Sequence, residues 1–230
     1  MIIGGFQKFS LIDYPDKVCA IVFSQGCNFR CPYCHNPELV PIKIPDTQII
    51  REEDIFSFLN KRKGKLDAVT ITGGEPLLQT DLVDFLLELK GLGYLIKLDT
   101  NGSFPSRLGK IIGAKLVDYI AMDIKTSLDR YEIVANVKVD KAGIHDSISI
   151  IMNSGIDYEF RTTVVKDFVG GEDFFKIGQL IKGCPLFVLQ KFVSSKTLDD
   201  GSLKMKGCSD EEVIGFKEII EDFARKCIIR

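Results

Sequence analysis

The segment FSQGCNFRCPYCHNPELV, residues 23–40, packs Cys27, Cys31, Cys34 and His35 into nine positions. Thiolates this close repel one another unless a cation neutralises them, so a soft metal accounts for the spacing better than three inert thiols. Structural zinc normally takes four protein ligands, and adjacent residues such as Cys34 and His35 reach one tetrahedral ion only with awkward geometry. A cubane iron–sulfur cluster normally takes four thiolates, so three would leave one iron open to an outside ligand. Pro32 lacks a backbone donor and favours an irregular wrapping loop over a helix carrying all three sulfurs on one face.

Other apolar runs end in polar groups. TGGEP ends one of them with Gly73, Gly74, Glu75 and Pro76, where two glycines permit close approach of the backbone to a ligand and a carboxylate can accept from an ammonium. The same residues also read as a Gly-Gly turn closed by Pro76. LDTNG and AMDIK end two more, supplying Asp99, Thr100, Asn101, Asp123 and Lys125. Oxygen ligands of this kind suit a hard cation, while Asp and Asn in DTNG also suit a local turn. Arg161 is the charged residue of the run FRTTVV, and Gln190 in VLQKF is a weaker candidate.

These groups need a frame. Six runs read as buried strands, at 18–24, 67–73, 94–100, 116–124, 157–165 and 184–192. Between them lie helical patterns such as TDLVDFLLELKGLG, with Leu82, Phe85, Leu86 and Leu89 on one face and Gly91 and Gly93 as stop signals. Alternating strands and helices imply parallel strands with right-handed crossovers, giving a curved sheet or open barrel whose site lies at the carboxyl ends of the strands. The last stretch places Val213, Phe216, Ile219, Ile220 and Phe223 at helical spacing behind Ser209 as cap, a closing helix.

Composition bounds the rest. The 230 residues are 45% apolar and 27% charged, enough for one α/β domain, and 30 Lys and Arg against 32 Asp and Glu leave a net charge of −2. No overall basic field attracts nucleic acid or anionic lipid. No membrane-length apolar run or leader-like start is read, so the expectation is a cytoplasmic protein. Of seven cysteines, Cys19, Cys184, Cys208 and Cys227 are scattered and read as structural thiols. NKRKGK at 60–65 reads as a solvated helix end, and His145 as a surface residue.

The three-cysteine loop after the first of these strands resembles the radical S-adenosylmethionine (SAM) superfamily. GCNFRCPYCHNPELV with the upstream FSLIDYPDK is similar to activating enzymes of glycyl radical proteins, in particular those of the anaerobic ribonucleoside-triphosphate reductase type. The resemblance covers residues 1 to about 195 and implies a partial (β/α)6 TIM-like barrel, an α/β fold, in one domain. Residues 1–17 form an N-terminal hairpin extension, 18–195 the barrel and 196–230 a C-terminal helical segment. It implies a [4Fe-4S] cluster on Cys27, Cys31 and Cys34. SAM is implied to be held by Tyr33, His35, Gly73, Gly74, Glu75, Asp99, Thr100, Asn101, Asp123, Lys125 and Arg161, with a monovalent cation at Asp99, Thr100 and Asp123.

The same resemblance implies a chemistry. Reductive cleavage of SAM yields a 5′-deoxyadenosyl radical that takes a hydrogen from a glycine of a partner enzyme, with a flavodoxin or ferredoxin-type protein as electron donor. Asp13, in LIDYPDK, is expected to border the barrel mouth and touch the substrate, or simply to start a turn before Pro15. Two other readings stand beside this one: a radical SAM enzyme acting on a small molecule or RNA, and a non-catalytic zinc-binding module.

Overall fold

The computed structural model describes residues 1–193 and 205–230. Its strands are β1 Ile3–Ser10, β2 Cys19–Ser24, β3 Ala68–Gly73, β4 Leu95–Thr100, β5 Tyr119–Asp123, β6 Asp157–Val164, β7 Phe187–Lys191 and β8 Cys227–Ile229. The helices are α1 Glu52–Lys61, α2 Leu82–Gly91, α3 Pro105–Gly113, α4 Tyr131–Ala135, α5 Lys141–Met152, α6 Gly171–Leu180 and α7 Asp210–Glu221. The eight strands follow chain order in one unclosed sheet. All six expected strands are present, and the α/β fold is that of a partial TIM-like barrel. No helix among the described residues is long and apolar enough to cross a membrane.

The chain divides into two compact units, one of residues 1–28, 38–100 and 106–120, the other of residues 29–37, 101–105 and 121–230. In the first unit β1 pairs antiparallel with β2, Ser10 facing Cys19 and Phe6 facing Val22. β2, β3 and β4 run parallel, with Ser24 level with Gly73 and Ile71 level with Leu98. Parallel strands are covered on both faces and therefore read as continuous apolar runs, as CAIVFS and AVTITG do. α2 buries Leu82, Phe85, Leu86 and Leu89, as its spacing predicts. Gly91 is its last helical residue, and Gly93, at φ +88°, makes the left-handed turn that ends it.

The amino-terminal end of these strands is closed by Tyr14, Cys19, Ile21, Ala68 and Tyr119, with the rings of Tyr14 and Tyr119 5.7 Å apart. Asp13 lies at this end. Its carbonyl accepts from Thr70 Oγ1 at 3.3 Å and its carboxylate accepts from Ser10, the residue that pairs with Cys19. Strand rise puts that end about 17 Å from Ser24, where β2 leads into the cysteine loop. Asp13 therefore belongs to the turn at the amino end and not to the carboxyl edge.

In the second unit β6, β7 and β8 run parallel, Arg161 level with Val188 and Leu189 level with Ile229. α7 starts at a capping box in which Ser209 Oγ accepts from Glu212 N and a Glu212 carboxylate oxygen accepts from Ser209 N. The expected closing helix is shorter than its apolar pattern. It ends at Glu221, and Phe223 instead packs on Gly178, where an added Cβ would lie 2.3 Å from the Phe223 ring. The residues after it turn into β8, a strand too short to show a period of its own. The expected boundary between 195 and 196 lies outside the described residues.

Candidate functional site

In the first unit, the loop after β2 is anchored at its root before the first cysteine. Gln25 is buried, and its Nε2 donates to Glu38 O at 2.9 Å and Pro41 O at 2.7 Å. Gly26 N donates to Leu39 O at 2.8 Å and Cys27 N to Val40 O at 3.1 Å. Gln79 Nε2 reaches back to Gln25 O at 2.6 Å. Neither glutamine stood out in the sequence, since a Gln among polar loop residues reads as solvated.

The Gly-Gly-Glu loop after β3 lies directly on this root. Gly74 N donates to Ser24 O and Glu75 N to Gly26 O, both at 2.9 Å. A Cβ at Gly74 would sit 2.1 Å from Gly26 O, and Gly73 holds φ at +114°, a conformation that only glycine adopts readily. The sequence suggests that these glycines admit a ligand; the structure shows the backbone they admit is that of the cysteine loop. Glu75 is fully buried, and its Oε1 accepts from Leu77 N at 3.0 Å and from Thr100 Oγ1 at 2.9 Å. It thereby caps the short turn Pro76–Leu78 and ties the end of β4 to the loop after β3. Asp99, on β4, receives the ammonium of Lys97 at 2.6 Å.

In the second unit, the remainder of the cysteine loop is irregular, as Pro32 predicts, with a turn closed by Cys34 N and Cys31 O at 3.0 Å. Arg30 N donates to Ala135 O at 2.8 Å, fastening the loop to α4. Tyr33 is buried between Phe168 and Phe192, at ring distances of 5.6 and 6.5 Å. Its hydroxyl has no hydrogen-bond partner, and burial raises its pKa well above the ordinary phenol value despite the opposing charge of Lys125. His35 is exposed, stacks on Phe192 with ring centroids 5.5 Å apart, and donates from Nε2 to Val193 O at 3.1 Å.

The same unit joins three candidates into one ionic group. Arg161 Nε donates to Asp123 Oδ1 at 2.8 Å, and Lys125 Nζ to Asp123 Oδ2 at 3.1 Å. Burial pushes the Asp123 carboxyl up, but the two facing cations overcome it and hold the group well below the usual carboxylate range. Tyr131 Oη accepts from Lys125 N and donates to Asp123 O, each at 3.3 Å, which shapes the turn between them. Asn101 acts as the turn reading predicts, its Oδ1 accepting from Ser103 N at 3.0 Å and Ser103 Oγ at 2.5 Å. Gln190 lies level with Thr163 on the neighbouring strand.

The donor set suits iron and sulfide. Burial raises the thiol pKa of Cys184 and Cys227 to about 12 and leaves them poor ligands. Among the described residues no three His, Cys, Asp or Glu side chains gather around one point as for a single metal ion. A cubane makes no such demand, because each thiolate binds its own iron. The unpartnered hydroxyls of Ser24, at the end of β2, and Tyr33, within the loop, leave buried donors available beside the cysteine loop.

Comparison with known proteins agrees with this chemistry. Residues 21–177 match the family model described as the radical SAM superfamily. A Methanocaldococcus jannaschii protein named as a glycyl-radical enzyme activating enzyme is 31% identical over 234 residues, spanning 100% of this chain and 95% of that protein. The pyruvate formate-lyase-activating enzyme of Clostridium pasteurianum is 29% identical over 187 residues, 78% of this chain and 76% of that enzyme. Streptococcus suis SuiB bound to S-adenosylmethionine has a similar fold, with a TM-score of 0.67 at 16% identity over 91% of this chain. This chain covers 49% of that structure's chain.

Proposed function

This chain belongs to the radical SAM superfamily, and we propose that it installs a glycyl radical on a partner enzyme of the anaerobic ribonucleotide reductase class. The family carries a [4Fe-4S] cluster and SAM, and Cys27, Cys31 and Cys34 are the residues to hold three of the four irons. When bound and reduced, the cluster supplies the electron that breaks a carbon–sulfur bond of SAM and so generates the 5′-deoxyadenosyl radical. The chain's own side chains bind and orient. The Gly73–Glu75 loop, which Glu75 braces through Leu77 and Thr100, would receive the SAM ammonium. Lys125 and Arg161, which Asp123 keeps in place, would offer their cations to the SAM carboxylate. Tyr33 and His35, in the cysteine loop, would help hold SAM, and a flavodoxin or ferredoxin-type protein would deliver the electron.

The observation that carries this reading is the end-to-end match to a glycyl-radical enzyme activating relative, in a chain whose cysteine loop and Gly-Gly-Glu loop lie backbone to backbone. The test is anaerobic incubation of reconstituted protein with SAM, reductant and a ribonucleotide reductase of the glycyl radical type. A glycine-radical doublet in electron paramagnetic resonance is the expected result. SAM cleavage with no radical on any glycyl radical enzyme would move the substrate to a small molecule or RNA. A colourless protein holding zinc in place of iron and sulfide would overturn the reading altogether.

A further inference from the structure

Lys97 is the only cation among the described charged residues that are buried; the others, Glu75, Glu159 and Asp173, are acids. It is 3% exposed and sits in the middle of β4, where its neighbours Ile96 and Leu98 are fully buried apolar residues. Strand alternation puts Leu95, Lys97 and Asp99 on one face. Leu95 packs on the cluster of Tyr14, Cys19, Ile21, Ala68 and Tyr119, and Lys97 pairs in register with Thr70, whose hydroxyl meets Cys19 Sγ at 3.6 Å. The side chain therefore rises from an apolar floor, and its ammonium ends 2.6 Å from Asp99 Oδ1.

Taking an ammonium out of water costs several kcal/mol, and a neutral side chain of the same length would fill this space without that cost. Only the charge distinguishes Lys97 from such a residue, and Asp99 is the group that meets it. Asp99 and Thr100 are the first-unit residues expected to hold a monovalent cation. Their surroundings do not fit that ion, because Lys97 already neutralises Asp99 and the Thr100 hydroxyl donates to Glu75. We propose that Lys97 is a built-in counter-cation that pairs with Asp99 and holds its carboxylate at the carboxyl end of β4, so that SAM binding in this chain needs no monovalent metal ion. The proposal rests on the reading of this edge as a SAM site.

The test uses full-length protein in potassium, sodium or choline chloride at equal ionic strength, which holds screening constant. The thermal midpoint is measured together with the SAM affinity of the anaerobically reconstituted protein. Wild type is expected to differ by less than about twofold in affinity among the three salts, with an unchanged midpoint. Lys97→Met is expected to lose about tenfold in affinity in choline, the scale of one charge-assisted contact. Its affinity and its midpoint should both rise saturably with potassium, as binding linkage requires. Saturable potassium dependence of the wild-type midpoint or affinity overturns the proposal, as does a Lys97→Met variant indistinguishable from wild type in every salt. Should Lys97→Met fail to fold, the double variant Lys97→Met with Asp99→Asn removes both charges. Recovery of folding supports the counter-cation, and its failure shows a packing role instead and overturns it. If wild type binds no SAM in any salt, the SAM reading itself fails, and the midpoint series alone decides the role of Lys97.

Discussion

Arg161 Nε donates to Asp123 Oδ1 at 2.8 Å, joining the middle of β6 to the end of β5. Arg161 is 11% exposed and Asp123 29%, so the pair is partly shielded from water. Removing the guanidinium leaves Asp123 with Lys125 as its cationic neighbour.

Arg161→Met is therefore expected to cost about 1–3 kcal/mol at neutral pH, the scale of a hydrogen bond to a charged group. The Asp123 carboxyl is depressed in the folded protein, so the stability it contributes is complete above the ordinary aspartate value of about 3.9 and disappears as the pH falls toward the folded value. Denaturation by urea across the acid range should accordingly show the gap between wild type and variant steady above about pH 5 and closing below about pH 4. A gap that is constant down to pH 2 would show that packing, not charge, fixes this pair.

Cys27→Ala, Cys31→Ala and Cys34→Ala should each prevent assembly of a stable oxygen-sensitive cluster, measured as iron and sulfide per chain after anaerobic reconstitution. Cys184→Ala and Cys227→Ala should leave iron content unchanged and act only on stability, by about 1–3 kcal/mol for a small buried side chain. Full iron in a chain lacking all three loop cysteines would place the ligands elsewhere.

Gly74→Ala drives a methyl group into the Gly26 carbonyl, and neither partner is a flexible side chain that could move aside. The expected cost is about 1–3 kcal/mol, from overpacking. Because the displaced backbone belongs to the cysteine loop, iron content should fall as well. Normal iron content together with weakened SAM binding would restrict the role of Gly74 to ligand approach.

Asp13→Ala should leave SAM cleavage and glycyl-radical yield unchanged, since Asp13 lies at the amino end of β2. It should lower stability by about 0.5–1.5 kcal/mol through the lost bond from Ser10. A selective loss of radical yield at normal SAM cleavage would return Asp13 to the substrate path.

The parts of this molecule that could be read from the sequence are those governed by local pattern. CAIVFS and AVTITG read as parallel strands because continuous apolar runs have few other uses, and the cysteine spacing read as a cluster loop because crowded thiols need neutralising. β1 is visible only as a hairpin lead-in: its two glycines and its lack of alternation between buried and exposed positions weaken the strand signal, and its pairing with β2 supplies the missing information. β8 is only three residues long and borrows its conformation from β7. Lys97 stayed hidden because a lysine in a strand is by default an exposed one. The backbone contact of Gly74 with Gly26 could not be read at all, since no side chain marks it.

That contact also makes one loop a reporter on the other. The Glu75 amide is bonded to Gly26 O and the Gly74 amide to Ser24 O, so neither proton can exchange with solvent deuterium unless the root of the cysteine loop separates from the end of β3. Metal loading at the thiols should then be visible, before any SAM is added, as slower deuterium uptake in the peptide carrying Gly74 and Glu75. An iron-starved chain should therefore lose order at the Gly-Gly-Glu loop ahead of its core strands.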